Sequence, residues 1–206
     1  MSSAPTPLLA ADQRSAAILD RARVAFAEKG FDGASMQDLA RSCGMSVGNF
    51  YRYFPSKAAI VEAIVTGDLV EMEHDFAAIL ESPHPMSVLR NTIRGRVRNE
   101  HCAGNGQLWA EITAAALRKP EIGLVANRMQ TVIAGNLISV FARNNNIAFD
   151  EAARRYGAHA ALIMMMVKAS AMQCAEPGAD REPLTDLILR TIDRTLDEIA
   201  SDVKEG

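Results

Sequence analysis

Nowhere in its 206 residues does this chain alternate apolar and polar positions with the period of two that marks a half-buried strand; its apolar side chains return every three or four residues. A strand shows successive side chains to opposite faces, so this patterning leaves no sheet face to bury. The chain must instead pack helix stripes against one another, and the expected fold class is all-α. Hydrophobic residues make up 49% of the sequence, enough for the core of one large or two modest domains. No run approaches the roughly 20 uninterrupted apolar residues that cross a bilayer, so no membrane partner is expected. The start, MSSAPTPLLAADQ, lacks the basic region and apolar core of a signal peptide, and the expected location is the cytoplasm.

Capping and breaking residues divide the helical pattern. In DQRSAAILDRARVAFAEKGF, residues Ile18, Leu19, Ala22, Ala25 and Phe26 fall at helical spacing and Lys29-Gly30 supplies a stop, which predicts a first helix of about 16 residues. Ser35 and Asp38 have the spacing of a capping box and open a short helix through Met36, Leu39 and Ala40 that Gly44 ends. Ser46 can cap the next helix and Pro55 breaks it. Ser56 then starts a long segment carrying Ile60, Val61, Ile64, Leu69 and Val70. Beyond residue 80, the breaks ESPHP, NEHCAGNG, Lys119-Pro120, NNN at 144–146 and EPGAD at 176–180 leave room for about five further helices.

Two short helices joined through Cys43-Gly44-Met45 make a helix-turn-helix, and the second, VGNFYRYF, assigns roles by its wheel. Val47, Phe50 and Phe54 share a core-facing stripe, Arg52 points nearly opposite, Gly48 and Asn49 lie between, and Tyr51 and Tyr53 sit on the flanks. Two of the chain's three tyrosines are spent here, and a buried tyrosine must find a hydrogen-bond partner. A helix in the major groove instead touches base edges with its outer face and phosphates with its flanks, where tyrosine hydroxyls donate. Net charge is −3 overall, yet the residues through 60 carry seven basic groups against five acidic ones, leaving −5 for the rest.

Catalysis is the competing class. Glu71-x-x-His74 and Glu81-x-x-His84 have the spacing of di-iron helical bundles, but Pro83 sits inside the second pair and Pro85 follows it, so those two side chains should not share a helix face. The three cysteines, Cys43, Cys102 and Cys174, are widely separated and odd in number, against both a disulfide framework and a thiolate zinc site, and read as small buried hydrophobes. No metal or cofactor is expected, and no enzymatic activity.

Residues 16–62, most sharply AxxCGMSVGNFYRYFPSKAAIVEAI from Ala40, resemble the DNA-binding domain of the tetracycline-repressor (TetR) family of bacterial regulators. The marks are Gly44, Ser46, Gly48, Phe50-Tyr51, Phe54 and Lys57 in order. Phe50 stands where leucine is usual and Tyr53 where histidine is common. The resemblance covers about a quarter of the chain and implies a homodimer whose third helices enter the major groove of a palindromic operator. It also implies a C-terminal domain binding a small-molecule effector, whose last two helices pair across the two-fold axis. By position, Ser35, Ser46, Tyr51, Tyr53 and Lys57 would hold phosphates, Gly48, Asn49 and Arg52 would face base edges, and Val47 could pack on a thymine methyl. The expected organisation is a flexible segment 1–11, a DNA-binding domain 12–56 and a ligand-binding and dimerisation domain 57–206. The alternative is a helical DNA-binding dimer without ligand control.

For an effector pocket the sequence offers bulky, adaptable groups at Trp109, Met129, Phe141 and the block containing Met165, with His101 as a polar candidate beside Gln107 and Glu111. For dimerisation it offers small residues at Gly157 and Ala161, and the stripe Leu184, Leu187, Ile188 and Ile192 on the final helix, which a monomer would expose to water.

Overall fold

The structure is a computed structural model that describes the backbone of residues 7–99, 105–172 and 180–202. Among these residues nine helices and no strand are found: α1 Pro7–Gly33, α2 Met36–Ser42, α3 Val47–Tyr53, α4 Lys57–Glu81, α5 Pro85–Asn99, α6 Asn105–Ala116, α7 Pro120–Asn145, α8 Phe149–Ala171 and α9 Glu182–Ser201. The breaks fall where the sequence punctuates. Ser35 forms the expected capping box with Asp38, Ser46 accepts from Asn49 N–H at 3.3 Å, and Ser56 accepts from Ala59 N–H at 3.1 Å. The first helix departs from expectation at both ends. It begins at Pro7, inside the segment 1–11 expected to be flexible, and it continues to Gly33 across a break at Gly30.

The chain divides into two compact units, Met1–Gly67 with Gln107–Ala126, and Asp68–Gly106 with Asn127–Gly206. This differs from a boundary at 56/57. The first unit takes in the start of α4, most of α6 and the beginning of α7. Its buried side chains include Ala22, Phe26, Leu39, Ala40, Phe50, Ile60 and Ile64 from α1 to α4, and Leu108, Ile112 and Ile122 from α6 and α7. Phe26 and Phe31 stack at 5.5 Å between ring centroids, and each large apolar group removed from water contributes about 1.5–3 kcal/mol.

At Gly30 the backbone turns to φ 75°, ψ 161°, a region essentially reserved for glycine. The N–H of Phe31 thereby leaves the helical ladder and donates to Glu111 Oε2 at 3.1 Å. Lys57 Nζ donates to the carbonyls of Phe31 at 2.6 Å and Asp32 at 3.3 Å, lying 4.8 Å over the Phe31 ring. Arg118 and Lys119 pair with the Asp32 carboxylate at 3.0 and 3.1 Å. Donation from Lys119 and then Arg118 holds that carboxyl below the usual range. The junction between α1 and α2 is thus held from α4 and from the α6–α7 turn.

In the second unit α9 packs on both α5 and α8. Leu89, Ile93, Phe141, Ala160, Ile163, Leu189, Ile192, Leu196 and Ile199 belong to one buried cluster. Arg90 bridges Asp193 at 2.8 Å and Asp197 at 2.5 Å, tying α5 to α9. The ends of α7, α8 and α9 meet in a buried polar network. Asn145 Nδ2 donates to Tyr156 Oη at 2.8 Å and to the Ile199 carbonyl at 2.9 Å, and Tyr156 donates to Asp202 Oδ2 at 2.9 Å. Burial first, and then this bond to Asp202, pushes the Tyr156 phenol up.

Candidate nucleic-acid interface

The turn between α2 and α3 closes at Gly44, whose φ of 64° places it in the left-handed region that ends helices. Cys43 N–H bonds to the Leu39 carbonyl at 3.2 Å, Gly44 N–H to Arg41 at 3.0 Å and Met45 N–H to Ala40 at 2.9 Å, so the turn leaves no backbone donor idle. From it α3 emerges with Phe50 fully buried and Phe54 8% exposed, their rings 6.3 Å apart. These two aromatics fix the rotation of the helix about its axis.

That rotation sends Tyr51 and Arg52 outward, Tyr51 being 46% exposed. Neither pairs with any described residue. Gly48 lies exposed between them and the helix start, with no neighbour within 4 Å of where a Cβ would stand. Asn49 and Tyr53 are half-buried on the two flanks. Val47 is 37% exposed rather than turned inward as the wheel had it, because the core ends at Phe50 and a first-turn residue projects past it. An exposed valine, an exposed arginine and a half-buried asparagine thus offer, on one side of α3, the apolar and hydrogen-bonding groups that can contact base edges.

Two expected phosphate ligands are committed elsewhere. Ser35 Oγ donates to Asp38 Oδ2 at 2.6 Å and accepts from Asp38 N–H at 3.0 Å, so its hydroxyl is used within the cap. The bonds from Ser35 hold the Asp38 carboxyl down at about 2, and that negative charge opposes a phosphate at the same spot. The Lys57 ammonium is likewise engaged, serving the carbonyls of Phe31 and Asp32, and its burial lowers its pKa. The other expected ligand, Ser46, accepts from Asn49 and sits exposed at the start of α3.

The effector candidates are distributed over both units. Phe141 is fully buried and stands edge-on to Tyr156 at 6.2 Å, which makes it core. Met165 is 68% exposed and shares a face of α8 with Leu162. Trp109 is half-buried in the first unit, Met129 is half-buried in the second, and His101 lies outside the described residues. A hollow of about 500 Å³ in the second unit is lined instead by Arg94, Arg98, Asp186, Leu189, Arg190 and Asp193. Glu111, considered for effector recognition, holds Phe31 instead.

The interface candidates divide. Leu184 and Leu187 are 45% and 52% exposed, and Ile188 and Gly157 are half-buried. Ala161 is exposed beside Leu162 and Met165. Ile192 is 1% exposed inside the core of its own unit and is therefore not an interface residue. The stripe read on α9 is two faces: Leu189, Ile192, Leu196 and Ile199 point inward, Leu184 and Leu187 outward. Cys43 is half-buried rather than buried, and Cys102 and Cys174 lie outside the described residues. No helix of the described residues is long and apolar enough to cross a membrane.

A capped two-helix motif whose second helix buries one aromatic face and presents arginine, tyrosine, asparagine and glycine on the other belongs to the helix-turn-helix class of DNA-binding domains. Residues 18–64 match the family model described as bacterial regulatory proteins, tetR family. The HTH-type transcriptional regulator UidR of Escherichia coli (strain K12) is 33% identical over 117 residues, covering 56% of this chain and 58% of UidR. The chain thus spans less than two thirds of the length of that curated relative. The GusR structure from Salmonella enterica superposes with a TM-score of 0.73 at 22% identity, covering 97% of this chain and all of that one. AibR, solved in complex with isovaleryl coenzyme A and operator DNA, gives a TM-score of 0.64 at 18% identity over 87% of this chain and 97% of its own. Residues 18–64 thus match the DNA-binding domain of the tetR family of bacterial regulatory proteins, and the whole chain shares the fold of solved tetR-family regulators. That family consists of DNA-binding regulators rather than enzymes.

Proposed function

We propose that this chain is a homodimeric transcriptional repressor, acting in the cytoplasm, which seats α3 of each subunit in the major groove of a palindromic operator and leaves it when a small molecule binds. The observation that carries the reading is α3 itself, anchored by Phe50 and Phe54 while Tyr51 and Arg52 stand exposed without a partner. Arg52, Gly48, Asn49 and Val47 meet base edges, and Tyr51, Tyr53 and Ser46 meet the flanking phosphates. The homodimer is supported by the apolar faces that a single chain leaves open, Leu162 and Met165 on α8 and Leu184 and Leu187 on α9.

Release follows from geometry. Two recognition helices read two half-sites only at the matching separation, about 34–36 Å or a larger multiple. An effector that favours a mismatched separation must weaken operator binding by the factor with which operator weakens effector binding, typically 5–150-fold. The effector reading is supported by AibR, whose structure holds both an acyl coenzyme A and operator DNA. The test is titration of the full chain against a duplex enriched from a randomised library and against a mixed-sequence duplex. Arg52→Ala is expected to cost about 1–3 kcal/mol on the enriched duplex and far less on the mixed one, and Tyr51→Phe to weaken both alike. Equal losses on both duplexes for Arg52→Ala remove it from base reading. Absence of any enrichment by the wild-type chain refutes the function.

A further inference from the structure

A hollow of about 470 Å³ lies between α1 and the turn that joins α2 to α3, walled by Arg14, Ile18 and Arg21 on one side and Cys43, Gly44 and Met45 on the other. Arg14 and Arg21 are seven residues apart, two turns of one helix, and therefore share a face. Both are exposed, and neither pairs with a described residue. Apart from Arg52 on α3, which is also exposed, several other cations of this unit are committed: Lys29 and Arg41 lie 3.4 and 3.7 Å from Asp38, Arg118 and Lys119 hold Asp32, and Lys57 holds two carbonyls. Because the N–H groups of Cys43, Gly44 and Met45 are all bonded within the turn, an anion in the hollow would be held by the two guanidinium groups alone.

The hollow's place in the motif identifies the anion. Its inner wall runs directly into Ser46 and the start of α3; in such a motif the N-terminal residues of the recognition helix lie at base edges and the helix before it, here α2, crosses the DNA backbone, so the hollow beside the α2–α3 turn lies next to that crossing. From the proposed operator binding, on which this inference rests, we infer that Arg14 and Arg21 grip DNA phosphates bordering the groove, a sequence-independent contact additional to that of α3. The two Cα atoms stand about 10 Å apart along α1. At that spacing the two long side chains can reach different phosphates bordering the groove. Arginine suits the role because its planar fork meets two phosphate oxygens at once.

Salt dependence of binding tests the inference. The slope of log K against log salt changes by about 0.9 for each phosphate contact, so each arginine lost should flatten it by about that amount. At about 0.1 M salt this corresponds to roughly 5–10-fold weaker binding per arginine. Arg14→Ala and Arg21→Ala should show these losses equally on the enriched and the mixed-sequence duplex, Arg21→Lys should restore most of the slope, and Arg194→Ala on α9 should change nothing. Circular dichroism of each variant establishes that it is folded. An unchanged slope in the double alanine variant, while Arg52→Ala still loses affinity on the enriched duplex, overturns the contact and leaves the operator reading intact. Thermal stabilisation of the DNA-free chain by inorganic phosphate, lost in the double variant without any change in slope, also overturns it by assigning the hollow to a free anion. A wild-type chain that binds neither duplex refutes the operator reading itself.

Discussion

Gly30→Ala is the substitution whose cost follows most directly from the geometry. Gly30 sits at φ 75°, ψ 161°, where an L side chain carries about 1–3 kcal/mol of strain. An added Cβ would also stand 3.0 Å from Glu111 Oε2 and 3.4 Å from its Cδ, so the carboxylate must move. A shift of a few tenths of an ångström weakens the bond from Phe31 N–H at 3.1 Å, which as a bond to a charged group is worth up to about 1.5–3 kcal/mol. Restricting the unfolded chain returns about 0.4–1 kcal/mol. The net expectation is a loss of about 2–4 kcal/mol, a large share of the roughly 5–15 kcal/mol that stabilises a domain. The matched control is Gly33→Ala, three residues on, where the nearest atom is Lys29 Cβ at 3.9 Å; this change should be neutral or slightly stabilising. Urea unfolding followed by emission of Trp109, the sole tryptophan, reports on this unit. In a Glu111→Ala background, Gly30→Ala should cost about 1–2 kcal/mol less, because the displaced bond is already gone. If Gly30→Ala proves no more costly than Gly33→Ala, the reasoning about the junction fails.

In the second unit, Asn145→Ala should cost about 2–4 kcal/mol by leaving the Ile199 carbonyl and Tyr156 oxygen without their donor, against about 1 kcal/mol for Tyr156→Phe; chemical denaturation in which that order is reversed refutes the network as drawn. Leu187→Glu and Met165→Glu should give monomers by sedimentation without loss of helix content, whereas Ile192→Glu should unfold the unit because that side chain is 1% exposed in its own core; a stable dimer in both exposed variants moves the interface elsewhere. The Asp38 carboxyl is held at about 2 in the folded chain against 3.8 for the free group, so its contribution is complete above about pH 4 and is lost as pH falls toward 2. Ser35→Ala, which removes the cap at a cost of about 1 kcal/mol near neutral pH, should therefore differ least from wild type at the acid end of that window; a difference that stays constant across it refutes the linkage.

Whatever is decided within three or four residues was legible in the sequence. The caps at Ser35, Ser46 and Ser56 bond backbone groups three positions ahead, Gly44 ends α2 by its own conformational freedom, and periodicity alone put Phe50 inward and Arg52 outward. The helix-turn-helix, and with it most of the surface proposed to face DNA, is local in this sense. What spans the chain was not legible. Glu111 reaches Phe31 across 80 residues, Lys57 turns back 26 residues to a carbonyl rather than outward, and the α9 stripe divides because α5 and α8 claim Leu189, Ile192 and Leu196 while leaving Leu184 and Leu187 open. A helical wheel shows that a face is apolar, but only the packed neighbours decide whether that face is covered by the same chain. The same limit applies to polar side chains, because a lysine or carboxylate with several reachable partners is committed by whichever the fold brings near, and sequence spacing carries no record of distance in space.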